Sequence, residues 1–185
     1  MKVRIKPPEK VWQDFQEQAQ LTDEQLQQFQ RYEAFLSQRN QDFNLTAITD
    51  LTAIVRQHFL DSLILQQFVD IKGLSCVADV GAGAGFPAIP LKIMFPHLKI
   101  VLIEVTKKKV QFLEELAALL ELSDIEIYSL DWRTFLRKTS YDIDLFVTRA
   151  ALQDEELCRA LKPSCPYNDT TIVYWAVQDW EVSPK

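Results

Sequence analysis

The sequence predicts an α/β fold, a doubly wound parallel sheet preceded by an N-terminal helical cap. Three observations lead there. From residue 75 onward, short apolar runs alternate with amphipathic segments. Before that point the apolar spacing is helical. Finally, three of the four glycines in the 185 residues, Gly81, Gly83 and Gly85, fall within five positions, between a strand-like run and a helix-like one. Glycine has the most backbone freedom to lose on ordering. A glycine-poor chain that gathers them here needs a backbone shape, or a close ligand approach, that side chains would block.

In order along the chain, residues 9–20 and 23–39 read as helices. Thr22 and Gln25 have the spacing of a capping box, followed by the apolar stripe Leu26, Phe29, Tyr32, Phe35 and Leu36. The stretch from Asn40 to Thr49 is polar and turn-like, and Asp50 caps a third helix over about 51–68. Strands are predicted at 76–80, 99–104, 125–129, 143–148 and 171–176, with helices at 87–95, 107–121 and 152–162. Parallel strands need crossover connections, which the βαβα alternation supplies. A cap over 1–72 and a core over 73–185, packed as one globular unit, is the expected organisation.

The composition narrows the function classes. A net charge of -6 excludes an indiscriminate nucleic-acid binder but leaves room for a local basic patch among the 20 Lys and Arg. Cys76, Cys158 and Cys165 are odd in number and lack metal spacing, so a reduced, cytoplasmic protein without disulfides or bound metal is expected. Neither a secretory signal nor an apolar run long enough to span a membrane is found. His58 and Asp61 lie one helical turn apart, and a structural role near the glycine turn is expected for both.

A strand, a glycine turn and a helix start together make a cradle for a nucleotide-type cofactor. The first strand ends at Asp79-Val80-Gly81 and the second at Glu104, an acid placed to accept from both hydroxyls of a ribose. A dinucleotide fingerprint would need Gly or Ala where Phe86 stands. The G-x-G-x-G spacing favours S-adenosyl-L-methionine over a nicotinamide cofactor, although the motif alone leaves both classes open.

Residues 79–91, Asp-Val-Gly-Ala-Gly-Ala-Gly-Phe-Pro-Ala-Ile-Pro-Leu, closely resemble the glycine-turn signature of the RsmG/GidB family, bacterial guanine-N7 methyltransferases of small-subunit ribosomal RNA. Phe43-Asn44-Leu45-Thr46, His58-Phe59-Leu60-Asp61-Ser62, the helix from Lys107 to Leu113, and Thr148-Arg149-Ala150 are similar to further family elements, in the same order. The resemblance implies a Rossmann-like, S-adenosylmethionine-dependent methyltransferase fold and a 16S ribosomal RNA or small-subunit partner, and the protein is expected to be monomeric. It implies that Gly81 and Phe86 line the cofactor while Gly83 and Gly85 keep the turn open. Asp79 and Glu104 are expected to contact the cofactor, and Arg149 to serve both cofactor binding and catalysis.

The sequence also departs from the family. Where the family frames the adenine, this chain has Leu130-Asp131-Trp132-Arg133; Asp131 is expected to accept from the adenine amino group and Trp132 to stack, with Arg133 alongside. The family's late lysine is absent around Trp175-Ala176-Val177, and the sequence ends at Lys185, so a truncated C-terminal sheet edge is expected. A degenerate member that binds cofactor or RNA without methyl transfer is therefore the alternative. Guanine N7 is unprotonated at neutral pH, so no general base is required and catalysis rests on orientation. For RNA contact the candidates are Lys107, Lys108 and Lys109, whose charges oppose the helix dipole, together with Arg133, Arg137 and Lys138.

Overall fold

The computed structural model describes residues 7–149 and 161–175. Five strands form one parallel sheet in the order β3-β2-β1-β4-β5. They are β1 (Cys76–Val80), β2 (Lys99–Ile103), β3 (Ile125–Tyr128), β4 (Leu145–Arg149) and β5 (Thr171–Trp175). The central pairings run Cys76 to Lys99 through Val80 to Ile103 on one side of β1, and Val77 to Leu145 through Asp79 to Val147 on the other. Every residue of β1 is buried, as expected of a strand covered on both faces. All five strands coincide with the sequence expectation to within two residues, except that 176 lies outside the described residues.

The helices are less regular than their periodicity suggests. Helix α1 (Pro8–Ala19) starts at a proline, and α2 (Asp23–Phe43) begins with the expected Thr22–Gln25 capping box. Helix α2 runs past the expected end at 39, because no glycine or proline interrupts it; it stops where Asn44 turns left-handed at φ 51°. The third segment is not one helix. Asp50 caps α3 (Leu51–Ile54), which continues as a π-helical stretch (Val55–Leu60), then α4 (Asp61–Leu63) and a 3-10 turn (Ile64–Gln67). Around the sheet lie α5 (Ala88–Met94), α6 (Lys107–Leu119) and α7 (Trp132–Lys138). Sequence reading missed α7. The helix expected over 152–162 lies outside the described residues except for its last two positions.

Cap and core share one apolar cluster. Phe15, Phe29, Tyr32 and Phe59 of the cap join Phe86, Ile89, Leu102 and Phe112 of the core in it. Phe29 sits at its centre, with ring centroids 5.0 Å from Phe15 and 4.9 Å from Phe59. Polar ties reinforce the junction: Gln25 Nε2 donates to Ile93 O at 3.1 Å, and Gln28 Nε2 to Leu120 O at 3.0 Å. The second face of the sheet is closed by α7 through Trp132, Phe135 and Leu136 against Val80, Ile103 and Phe146.

With the cluster shared in this way, cap and core are expected to unfold together. Phe29→Ala, which empties a fully buried ring site, is expected to cost about 3–5 kcal/mol. Thermal unfolding followed by circular dichroism is expected to remain a single transition at lower temperature; two separated transitions would contradict the shared core.

Candidate functional site

Ligands of open parallel sheets sit outside the carboxyl ends of the strands, where the strand order reverses. Here the chain steps outward from β1 to β2 to β3 and returns to β4 on the other side of β1. The glycine turn follows β1, Glu104 follows β2, and Arg149 ends β4, so three sequence-predicted elements meet at this switch point.

The turn is held from two sides. Gly81 N and Ala82 N both donate to Ile103 O, at 2.9 and 3.2 Å. Gly83 N donates to Glu104 Oε2 at 3.0 Å, while Glu104 Oε1 accepts from Thr106 N at 2.9 Å. From the cap, the buried Tyr32 hydroxyl donates to Ala84 O. The two later glycines do different work. A Cβ on Gly83 (φ +58°) would meet nothing nearer than Gly81 O at 3.7 Å, so side-chain absence there leaves space open. A Cβ on Gly85 (φ +92°) would lie 2.8 Å from Ile89 Cγ1 and 2.9 Å from Tyr32 Oη. Gly85 therefore serves close packing, not the open turn expected from sequence.

Asp79 lies fully buried within β1. Its Oδ2 accepts from Ala88 N at 3.2 Å, whereas Oδ1 has no partner. Burial pushes its carboxyl up to about 8, against the opposing pull of the Ala88 N–H and the Arg149 charge. A buried oxygen without a donor asks for an explanation. Together with the open space at Gly83 and the acid Glu104, it fits a cofactor that brings its own hydrogen-bond donors. Glu104 is 6 % exposed, and each of its oxygens keeps a lone pair beyond the backbone bond it accepts.

Arg149 is gripped by the cap. Its Nη1 donates to Gln57 O at 3.2 Å and lies 3.4 Å from Asp61 Oδ2; its Nη2 is 3.1 Å from His58 Nδ1. The guanidinium also lies over the Phe86 ring, 5.1 Å from its centroid. Phe86 itself stacks with His58 at 4.5 Å and with Tyr32 at 5.2 Å, so its ring packs against the cap. Burial first, and the neighbouring Arg149 charge second, bring His58 down to about 4. The expected meeting of His58 with Asp61 is thus realised through Arg149.

The remaining candidates scatter. Asp131 caps α7, with Oδ1 accepting from Thr134 N at 3.0 Å and Oδ2 from Thr134 Oγ1 at 2.6 Å. Trp132 turns into the core at 8 % exposure, and the Arg133 guanidinium lies 5.6 Å over its ring. Lys107 and Lys108 are exposed and Lys109 half-buried at the start of α6; Arg137 and Lys138 are exposed in the last turn of α7. Lys108 Nζ lies 5.8 Å from the Phe43 ring centroid, and Arg39 covers that ring at 4.6 Å. Sequence reading missed Val105 and Leu130, apolar yet 58 % and 55 % exposed just past β2 and β3. Apolar residues directly after predicted strand ends, where loops are usually polar, were the available signal. Among the described residues no group of His, Cys, Asp and Glu could hold a metal ion. No helix among them is long and apolar enough to cross a membrane.

The raised Asp79 value has a pH signature. Its folded value lies above the ordinary 3.8, so its contribution to stability is complete below that pH and is lost as pH rises through about 8. Asp79→Asn removes this loss. The melting temperature of the variant relative to the wild type is expected to climb from about pH 5 to about pH 9. A pH-independent difference would place the Asp79 charge elsewhere.

Comparison with known proteins agrees with this geometry. Residues 25–180 match the family GidB, rRNA small subunit methyltransferase G. The protein of that name from Geobacillus sp. is 39% identical over 163 residues, covering 87% of this chain and 68% of the relative. Its counterpart from Listeria monocytogenes is 37% identical over 161 residues, covering 86% and 68%. The Onion yellows phytoplasma protein reaches 49% over 105 residues, covering 57% and 50%. Among solved structures, a putative caffeoyl-CoA O-methyltransferase from Staphylococcus aureus superposes with TM-score 0.55 at 15% identity, over 83% of this chain and 66% of that one; it shows the fold alone. The family match over most of the chain and the identity shared with these relatives lead to one assignment: this chain belongs to the GidB family, that of rRNA small subunit methyltransferase G.

Proposed function

We propose that the protein transfers a methyl group from S-adenosyl-L-methionine to N7 of a guanine in small-subunit ribosomal RNA, acting in the cytoplasm. The observation that carries this is the open turn at Gly83, locked to Glu104 beside the buried Asp79 carboxyl, one of whose oxygens is unused. The bound cofactor supplies an electrophilic methyl group on a sulfonium. The chain's own residues bind and orient. Glu104, through its remaining lone pairs, takes the ribose hydroxyls, and the turn from Gly81 to Gly85 receives the amino-acid end above Asp79. Exposed Val105 and Leu130 flank the adenine, with Asp131 adjacent as the acceptor for its amino group. Arg149, held at the end of β4, faces the methionine carboxylate or the entering base. A guanine N7 lone pair is free at neutral pH, so aligning it with the methyl is the catalytic task. The cap (1–72) and the core (73–185) act on it as a unit.

RNA contact is assigned to the start of α6. Arg137 and Lys138 sit in the last turn of α7, where cations suit the helix dipole and need no further reason. Lys107, Lys108 and Lys109 stand at an N-terminus with no acid in its first turn, so their charges oppose the dipole. Phosphate contact accounts for that cost.

Calorimetry with S-adenosyl-L-methionine, together with methyl transfer to unmodified small subunits, tests the reading directly. Binding and transfer are expected in the wild type. Gly83→Val is expected to abolish both while the cap helices stay folded, because its side chain fills the space left open there. Cofactor binding without transfer would remove the enzymatic assignment. For RNA, the pair Lys107→Ala and Lys108→Ala is expected to lower the salt slope of subunit binding by about 1.5 and to leave cofactor affinity alone. An unchanged slope would move the contact to another face.

A further inference from the structure

Two segments of the cap converge on Arg149, the π-helical stretch with His58 and the start of α4 at Asp61, and the loop around Thr46 joins them through His58. Arg has only donors, so the Nδ1 of His58, 3.1 Å from Nη2, must present a lone pair. The ring proton then resides on Nε2, which lies 2.8 Å from Thr46 Oγ1. That oxygen also accepts from Ile48 N at 3.1 Å, and Thr46 N is itself held by Asn40 Oδ1 at 2.8 Å, so the Thr46 acceptor is fixed in place. On the other side, the Gln57 carbonyl and Asp61 take Nη1. The Nη1 and Nη2 ends of the guanidinium are thereby engaged, and among the described residues no hydrogen bond is made by Nε–H.

We propose that His58 is a positioning residue: its Nδ1, a bare acceptor while Nε2–H meets Thr46, holds the Arg149 guanidinium so that the Nε–H side faces a carboxylate or the substrate base. The proposal rests on the reading of Arg149 as a ligand-binding group. A structural role alone would ask only for a flat ring on Phe86, which lies 4.5 Å away at an interplanar angle of 15°. Phenylalanine would serve that purpose. The lone pair toward a cation is what a packing role does not need.

The experiment compares His58→Phe, His58→Asn and Arg149→Ala as full-length chains, with folding checked by circular dichroism. Phe keeps the stacked ring and removes the acceptor, whereas Asn places an amide oxygen near the Nδ1 position. His58→Phe is expected to weaken S-adenosyl-L-methionine binding, or to raise KM for the RNA, about tenfold without loss of folding. His58→Asn is expected to recover most of that loss, and Arg149→Ala to lose at least as much as His58→Phe. Nitrogen NMR of the wild type is expected to show a bare Nδ1 and a protonated Nε2 on His58, which tests the tautomer without reference to activity. Wild-type binding and turnover in folded His58→Phe, a folded His58→Asn no better than His58→Phe, or a proton on Nδ1 would each overturn the proposal while leaving the Arg149 reading intact. Unimpaired Arg149→Ala would overturn both together.

Discussion

Glu104 joins two strand ends. One oxygen takes the Gly83 N–H and the other the Thr106 N–H, so the turn after β1 and the start of α6 cannot shift independently. Glu104 N in turn donates to Tyr128 O at 3.2 Å, extending the tie to β3. The three strands that form one half of the sheet thus end in a single hydrogen-bonded frame. Charge-assisted bonds of this kind, nearly out of water, are stronger than neutral ones. Breaking the frame would leave a buried carboxylate and two backbone donors unpaired, which is why the turn can adopt three positive φ values without collapsing.

The cap completes what the sheet leaves undone. Tyr32 reaches Ala84 O with its hydroxyl and stacks on Phe86 with its ring, fixing the far side of the same turn. Phe59, from the π-helical stretch, packs against Phe29, Tyr32 and Phe86, so the segment that grips Arg149 is anchored in the same apolar cluster. One consequence is that the cap is part of the site itself. The distance between the glycine turn, tied to Tyr32, and Arg149, tied to His58, is governed by how these aromatic rings pack, and close-packed interiors do not yield by small amounts.

Legibility in the sequence divides along physical lines. The strands were readable because parallel strands covered on both faces are largely apolar, as β1 and β2 are apart from Asp79 and Lys99. The glycine turn was readable because the chain spends almost no glycine elsewhere. Helix α7 was not: it has seven residues, its cap rests on Asp131 and Thr134, and it is too short to display a helical period. The apolar stripe of α2 showed that Tyr32 would be buried, yet nothing local could show that its hydroxyl serves a carbonyl 52 residues away. His58 and Arg149 are 91 residues apart, so their meeting is a property of the tertiary fold; the sequence offered only the two separate motifs.

Where a chain breaks local rules, it does so at a cost that something else must offset. Here the breaks are concentrated. Left-handed glycines, a π-helical insertion, a buried carboxylate with an unpaired oxygen and a neutral buried histidine facing a cation all lie around the carboxyl ends of β1 and β4. Buried away from this region, Lys92 is the contrast: its ammonium is satisfied by Pro96 O and Leu98 O at 2.7 and 2.6 Å, as a stable fold requires. The capping box on α2 and the Asp50 and Asp131 caps likewise follow the ordinary pattern. Elsewhere the departures stand singly: Arg39 Nε is buried without a partner among the described residues, and Gln20 and Asn44 turn left-handed as helix C-caps. Open space remains at Gly83 and an unpaired oxygen at Asp79, while the Gln57 carbonyl and the His58 lone pair hold Arg149. Under the proposed methyl transfer, the stability given up there holds a methyl donor and a nucleobase in one geometry, the task that this chemistry sets the protein.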